Sequence, residues 1–209
     1  MTKEELIAYI KDAIIQGKLK PGQRIVEAHL CREFDAGRSL VRQALMNLEQ
    51  EDFIQAIPYS SPVVTELSQK DIVQIYDLLG VLEGLSIRIA TPRLIDEEIE
   101  KIESLVKAME ENQENKFRVF EYNLQFHHFL TELGGNTRLI HFVRNLRSQA
   151  NRMSLQSFYN PEQIRESLSE HRKILNAIKD KKPLKAEKFV RDHYFTSKNR
   201  LTRHINSTL

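Results

Sequence analysis

Residues 38–48, RSLVRQALMNL, predict the helix around which the amino-terminal part of the chain folds. An apolar residue recurs there every three or four positions, which is the spacing of one helix face: Val41, Ala44, Leu45 and Leu48. Ser39 is the expected N-cap. Arg38 and Arg42 lie on the opposite face, so two guanidinium groups share one stripe near the start of the helix. A guanidinium can bind a phosphate or a guanine edge with two hydrogen bonds, which makes this stripe a candidate nucleic-acid contact, with a solvated helix face as the alternative.

Two helical patterns precede this helix and a hairpin pattern follows it. The apolar positions of the two earlier helices are Leu6, Ile10, Ala13 and Ile14, and then Val26, Leu30 and Phe34. The period changes at 53–57 and 63–65, two β-branched or aromatic-rich runs joined by Pro58-Tyr59-Ser60-Ser61-Pro62. Three short helices and a hairpin predict a winged helix-turn-helix domain in residues 1–66.

Residues 67–209 predict a second domain that contains only helices. Six helical segments are expected, at about 68–91, 96–111, 117–133, 137–158, 164–178 and 184–204. The apolar stripe of the first of them is expected at Ile72, Ile75, Leu78, Leu79, Leu82, Leu85 and Ile89. Short connections between the segments predict an antiparallel six-helix bundle, so the fold class is mostly α with one small hairpin.

Composition and charge exclude several classes of protein. The chain is 41% hydrophobic and 29% charged, which is enough to bury a core, and it has no apolar run long enough to span a membrane. The beginning of the chain lacks the pattern of a secretory signal, and the single cysteine, Cys31, excludes an internal disulfide, so a cytoplasmic location is expected. Residues 1–66 contain 8 Lys and Arg against 10 Asp and Glu, a net charge of −2 that weakens non-specific attraction to DNA.

The amino-terminal domain resembles the winged helix-turn-helix of GntR-type bacterial transcription regulators. The resemblance is carried by Ile14 to Gly22 (IIQGKLKPG), Leu30 to Phe34 and Arg38 to Leu45 (RSLVRQAL). It implies a homodimer that binds a double-stranded, pseudo-palindromic DNA operator through Arg24, Arg38, Ser39, Arg42, Ser60 and Ser61. The chain departs from the usual pattern at Asp35, Ala36, Gly37 and Leu40, and it has Ser60-Ser61 where the wing usually has Arg-Gly.

The helical domain contains residues that could hold a metal ion. Asn123 and His127 are four residues apart on one expected helix, and His171 and His193 lie on the last two. Imidazole nitrogens from facing helices are common metal ligands inside a bundle, although lone histidines are more often ordinary surface or core residues.

The same domain resembles the FCD domain, the effector-binding domain of the FadR branch of the GntR family, in its shorter VanR-like form. The matching stretches are Asn123 to Leu130, Gly135 to Leu139 and Glu170 to Ile178, followed by Ala186 and His193. The resemblance implies a divalent metal such as Zn²⁺, Ni²⁺ or Mn²⁺ on Asn123, His127, His171 and His193, with Asn123 in place of the usual Asp.

That replacement and a second departure bear on the effector. Neutral ligands leave the metal its full charge of +2, which attracts an anionic effector such as a carboxylate. Leu79 stands where many FCD domains have an arginine for the effector. Either Arg144, Arg147 or Arg152 on the fourth helix of the bundle holds the effector instead, or the effector is not a typical carboxylate.

Two other functions compete with ligand-responsive regulation of transcription. A metal-dependent hydrolase could use three histidines, but neither helix has a His-Glu-x-x-His motif, and Glu170 is rotated about 100° from its neighbour His171 on a helix. We therefore expect no enzyme. A metal- or ligand-binding interaction protein with weakened DNA binding is the other alternative, because of the departures at Asp35, Gly37, Ser60 and Ser61.

Overall fold

The computed structural model describes residues 1–154 and 161–208 of the chain. It divides into two compact units, Met1–Ser68 and Gln69–Leu209. The described residues form nine helices and one two-stranded antiparallel sheet, which confirms the predicted fold class. None of the described helices has an apolar stretch that would be sufficient to cross a membrane.

The first unit consists of three helices and a hairpin. Its elements are α1 (Lys3–Ile15), α2 (Glu27–Glu33), α3 (Arg38–Gln50), β1 (Ile54–Gln55) and β2 (Val63–Val64). Ile54 pairs with Val64 and Gln55 with Val63, so each strand is shorter than predicted. Pro58 and Pro62 cannot donate a backbone hydrogen bond, which limits the extension of the ladder.

Local signals begin and end the helices of this unit. Thr2 and Glu5 form a reciprocal capping box at the start of α1. The N-cap of α3 is Gly37 rather than Ser39, because the backbone N–H of Val41 already donates to the Gly37 carbonyl. The prediction that Ser39 caps this helix is therefore wrong. Asp35, which precedes α3, adopts a left-handed backbone with φ +46°, a conformation that Asp tolerates better than most residues.

The apolar faces of the three helices and the hairpin meet in one core. Its buried members are Leu6, Ile10, Ile14, Ile25, Leu30, Val41, Ala44, Leu45, Leu48, Phe53, Ile54 and Val64. The buried face of α3 is the one predicted, so Arg38 and Arg42 are left on the exposed side of the helix.

The second unit consists of six helices. They are α4 (Gln69–Ala90), α5 (Asp96–Glu111), α6 (Lys116–Leu133), α7 (Thr137–Ser154), α8 (Pro161–Lys179) and α9 (Pro183–Thr208). α4 packs against α6, α7 and α9, and α5 packs against α6 and α8. The predicted end of the fourth bundle helix near Phe158 lies outside the described residues.

The buried face of α4 differs from the predicted stripe. Leu78 and Ile89 were expected in the core but are 51% and 38% exposed. The buried side instead contains Glu83 and Ser86, neither of which is exposed at all. Apolar residues of α4 lie on all sides of the helix, so their periodicity could not identify the face that packs against the other helices.

Candidate metal centre

Three histidines from three helices of the second unit meet in its interior. His127 comes from α6, His171 from α8 and His193 from α9. Each offers a ring nitrogen within 4.8 Å of those of the other two. The Nε2 atoms of His127 and His171 are 3.4 Å apart. Two nitrogens bound to one tetrahedral zinc at about 2.05 Å lie roughly 3.3 Å apart, so this spacing fits a shared metal ion.

Two of these imidazoles hydrogen-bond to glutamate carboxyl groups, of which that of Glu83 is fully buried and that of Glu170 is 16% exposed. His127 Nδ1 lies 2.9 Å from Glu83 Oε2, and His193 Nδ1 lies 2.7 Å from Glu170 Oε2. Glu83 belongs to α4 and Glu170 to α8, so each carboxylate reaches a histidine of a neighbouring helix.

A guanidinium accompanies each of these carboxylates. Arg147 of α7 donates from Nε to Glu83 Oε1 at 3.0 Å, and it also contacts the Tyr194 hydroxyl. Arg200 of α9 donates to both oxygens of Glu170, at 2.8 and 2.9 Å. Each of the two glutamates is therefore paired with a cation.

Two buried polar atoms next to the histidines lack a hydrogen-bond partner among the described residues. They are Asn123 Oδ1 and His171 Nδ1. An unsatisfied buried polar atom costs about 1–3 kcal/mol. Asn123 is 7% exposed and lies on the same face of α6 as His127. An amide oxygen and imidazole nitrogens form a donor set that suits Zn²⁺ or Ni²⁺, so these residues fit a divalent metal.

Burial controls the protonation of the cluster. It lowers the pKa of His127 and of His171 well below the ordinary value, with the charge of Arg147 acting in the same direction on His127. Both imidazoles are therefore neutral at pH 7, the form that binds metals. Burial raises the pKa of Glu83 to about 7 against the opposing charge of Arg147. Burial would also raise the pKa of Glu170, but the hydrogen bonds from Arg200 and His193 outweigh it and hold that pKa well below the ordinary value.

A cavity of about 40 Å³ adjoins the cluster. That volume holds on the order of three water molecules at roughly 10–15 Å³ each. Five helices form its wall: Tyr76, Leu79, Asn123, His127, Arg147, Ala150, Asn151, Gln163, Ser167, His193, Tyr194, Ser197 and Arg200. Most residues of the lining carry a polar group, among them Arg147 and Arg200, and such groups could orient a small charged ligand.

The three arginines expected for an effector lie in different surroundings. Arg147 lines the cavity. Arg144 is 59% exposed and pairs on the surface with Glu132 at 2.8 Å. Arg152 is 9% exposed, and burial lowers its pKa. Among the described residues of the cavity wall, Arg147 is joined by Arg200 and not by Arg144 or Arg152.

The residues expected to bind DNA lie on the surface of the first unit. Arg24, Arg38, Ser39, Arg42 and Ser60 are exposed and Ser61 is half-buried. Arg24 forms an isolated β-bridge with Val63, next to the hairpin. Tyr59 lies at the tip of the wing, fully exposed and with φ +59°.

Family models match both units. The model described as "Bacterial regulatory proteins, gntR family" matches residues 2–64, and the FCD domain model matches residues 74–196. The chain belongs to the GntR family and carries an FCD domain. This family consists of transcriptional regulators and not of enzymes, so the hydrolase alternative is excluded.

Curated relatives and solved structures are regulators of the same kind. The chain is 26% identical over 189 residues to the uncharacterized HTH-type transcriptional regulator YdhC of Bacillus subtilis. The aligned region covers 88% of this chain and 84% of YdhC. It is 25% identical to the transcriptional repressor NanR of Klebsiella aerogenes, over 92% of this chain and 81% of NanR. The structure of Escherichia coli McbR/YncC superposes with a TM-score of 0.82 at 19% identity, covering 97% and 98% of the two chains. That similarity concerns the fold.

Sequence reasoning about this GntR-family chain named Asn123 and Arg147 but gave no role to the other polar residues beside the histidines, Glu83, Glu170, Tyr194 and Arg200. Glu83 has one available signal, because it lies four residues from both Leu79 and Ile87 on the buried face of α4. Glu170 was considered only as a neighbour of His171, whereas it hydrogen-bonds to His193. Arg200 and Tyr194 have no sequence signal, since nothing in α9 by itself indicates which side faces the cavity.

Proposed function

We propose that this GntR-family regulator binds its operator as a homodimer and responds to a small organic acid at a divalent metal site in the FCD domain. The observation that carries the proposal is the cluster of three buried imidazoles next to the Asn123 oxygen, which has no hydrogen-bond partner among the described residues. The metal is Zn²⁺, Ni²⁺ or Mn²⁺, with Asn123, His127, His171 and His193 as ligands. The protein acts in the cytoplasm, where its operator DNA lies.

The exposed surface of the first unit supports contact with double-stranded DNA. We assign base contacts to Arg38 and Arg42 on the recognition helix α3, together with Ser39. Arg24, Ser60 and Ser61 would contact the phosphate backbone beside the wing. A single unit offers few base contacts, and two units on an inverted repeat would supply the affinity that an operator needs.

The second copy would pack on the exposed apolar face of α4. Leu78, Val81 and Ile89 are 51%, 49% and 38% exposed, and their spacing places them along one side of the helix. An apolar stripe of this kind on a helix that is otherwise packed is typical of a surface buried by association.

The charge balance of the cavity supports an anionic effector held by the metal. Arg147 and Arg200 already pair with Glu83 and Glu170, and the four proposed ligands, one amide and three imidazoles, bring no negative charge to the metal. A bound divalent cation would therefore keep its charge of +2 in a small polar cavity. We assign the effector carboxylate to the open positions of the metal, with remaining N–H groups of Arg147 as a second contact.

Two measurements test the proposal. Metal analysis of protein purified without chelator should find about one divalent ion per chain, and added Zn²⁺ or Ni²⁺ should raise the Tm of chelator-treated protein. A metal-free protein whose Tm is insensitive to Zn²⁺, Ni²⁺ and Mn²⁺ would contradict the metal site.

For DNA, Arg38→Ala and Arg42→Ala should each weaken binding to the protein's own promoter region by about 1–3 kcal/mol. Arg172→Ala removes an arginine that pairs with Glu110 on the second unit and serves as the control. If the wild type does not bind this DNA, or if all variants bind it equally well, the result would favour the alternative of a metal- or ligand-binding interaction protein with weakened DNA binding. Sedimentation that shows a monomer with and without DNA would contradict the homodimer.

A further inference from the structure

Two of the three clustered histidines have a glutamate beside the same ring nitrogen, Nδ1. A neutral imidazole has one N–H and one free lone pair. In His127 and His193 it is Nδ1 that faces the carboxylate, at 2.9 Å from Glu83 and 2.7 Å from Glu170. A carboxylate at this distance favours the tautomer with the proton on Nδ1, in which the lone pair of each ring is on Nε2. For His127, this is the atom that faces His171.

The carboxylates are themselves held in place by guanidinium groups. Glu83 is completely buried, and Arg147, whose side chain is 13% exposed, bonds its second oxygen. Glu170 accepts two bonds from Arg200, which also contacts Ser197 at 2.9 Å. In Glu83 the arginine and the histidine are on different oxygens, whereas in Glu170 the two oxygens are both bonded by Arg200 and His193 shares Oε2. In both cases the arginine fixes the orientation in which the carboxylate meets the imidazole.

His171 is oriented differently from the other two. Its Nδ1 has no partner in the described part of the chain, and its ring packs edge-on against Phe126 at a centroid distance of 4.7 Å. Apolar packing therefore fixes this ring, whereas hydrogen bonds to carboxylates fix the other two.

We propose that Glu83 and Glu170 are positioning residues of the metal site, each of which keeps one histidine in the tautomer that presents Nε2 to the ion. This inference rests on the proposed metal site. In this arrangement Arg147 and Arg200 orient the two glutamates, and Nε2 is the atom through which His127 and His193 bind the metal. Carboxylate partners of this kind generally orient metal-bound histidines and increase their basicity.

The test replaces each carboxylate by an amide of the same shape. Arg200 Nη1 bonds Oε1 of Glu170, and Nη2 shares Oε2 with His193. In Glu170→Gln, an amide oxygen that stays on Nη1 places the NH₂ group at the position of Oε2, where it faces His193 Nδ1 and favours the opposite tautomer, with the proton on Nε2. We expect Zn²⁺ affinity, measured by competition with a chelator, to fall 10- to 100-fold. Nitrogen-15 imidazole spectra of the metal-free protein should show His193 changing tautomer while His127 does not. Glu83→Gln should give the converse result at His127.

Glu110→Gln is the matched control, because Glu110 also pairs with an arginine, Arg172, but on the surface. It should change neither zinc affinity nor either tautomer. Glu170 is less buried than Glu83, so Glu170→Gln keeps the test available if Glu83→Gln fails to fold. A folded Glu170→Gln with wild-type zinc affinity and an unchanged His193 tautomer would overturn this inference alone. A wild-type protein that binds no zinc, nickel or manganese would overturn the proposed function and this inference together.

Discussion

Arg42 of the recognition helix donates from Nε to the carboxylate of Glu27 on α2, at 3.1 Å. The arginine side chain is still 66% exposed and that of Glu27 is 36% exposed. The pair places a negative charge beside an arginine that we assign to DNA. Because phosphates repel that charge, Glu27 should reduce the affinity of the first unit for any duplex.

Glu27→Gln is expected to strengthen DNA binding. An exposed ion pair is worth about 0.2–1 kcal/mol, so the dissociation constant should fall by up to about fivefold at low salt. Glu33→Gln removes the same charge from the same helix, but Glu33 contacts Tyr9 and not an arginine. Fluorescence anisotropy of labelled operator and scrambled DNA measures both variants. An equal effect of the two substitutions would mean that the Glu27–Arg42 pair has no special role.

Asn123→Asp is expected to tighten metal binding and to weaken the metal-free protein. The substitution adds a negative donor to a site of neutral ligands, but without metal it buries a charge at a position that is 7% exposed. Its Tm should therefore lie below that of the wild type in chelator and rise further when Zn²⁺ is added. Asn176→Asp makes the same chemical change at an exposed position of α8 and serves as the control. If Zn²⁺ raises the Tm of Asn123→Asp and of Asn176→Asp by the same amount, Asn123 is not a metal ligand.

Gly134→Ala is expected to destabilise the second unit. A Cβ atom there would lie 2.1 Å from Ser86 Oγ and 3.0 Å from Ser86 Cα, and Ser86 is held by hydrogen bonds to the carbonyls of Leu130 and Thr131. Displacing α6 from α4 should cost about 1–3 kcal/mol, seen as a fall of several degrees in Tm. Gly37→Ser adds a side chain where no atom lies within 4 Å and should not lower the Tm. If Gly134→Ala has the same Tm as the wild type, α6 can move away from α4 without a loss of stability.

Tyr76 predicts a loss of stability at alkaline pH. Burial raises the pKa of its phenol to about 12 from an ordinary value of 10.0, despite the charges of Arg147 and Arg200. Between about pH 10 and 12 the unfolded chain has lost this proton while the folded chain keeps it. The free energy of unfolding should therefore fall with rising pH, by about 1.4 kcal/mol per unit and ~3 kcal/mol over the window.

Urea unfolding of wild type and Tyr76→Phe across that pH range measures the contribution of Tyr76. The variant should lose less stability than the wild type, because it has no phenol to ionise at this position. Tyr59→Phe removes a phenol from the fully exposed wing tip and should follow the wild type. Parallel curves for the wild type and Tyr76→Phe would contradict a raised pKa.

The sequence by itself determined the fold class and the order of the elements. Apolar spacing within each helix is a local property, and α5 begins and ends where that spacing and its flanking residues predict. The buried face of α3 could be predicted for the same reason, because charged and apolar residues alternate clearly along it. The sequence could also single out four candidate metal ligands, because a family resemblance added to their spacing: Asn123, His127, His171 and His193.

Only the tertiary structure decided what each polar side chain contacts. Glu83 meets a histidine 44 residues away and an arginine 64 residues away, and such pairs depend on how each helix is rotated in the bundle. Arg144 and Arg147 are one turn apart on α7, yet one pairs on the surface and the other lies in the cavity wall. In α4 the apolar residues surround the helix, so packing against α6, α7 and α9 selected the face that carries Glu83 and left Leu78 exposed. Local periodicity specifies a helix, but the rotation of that helix is set by the sum of its contacts with distant parts of the chain.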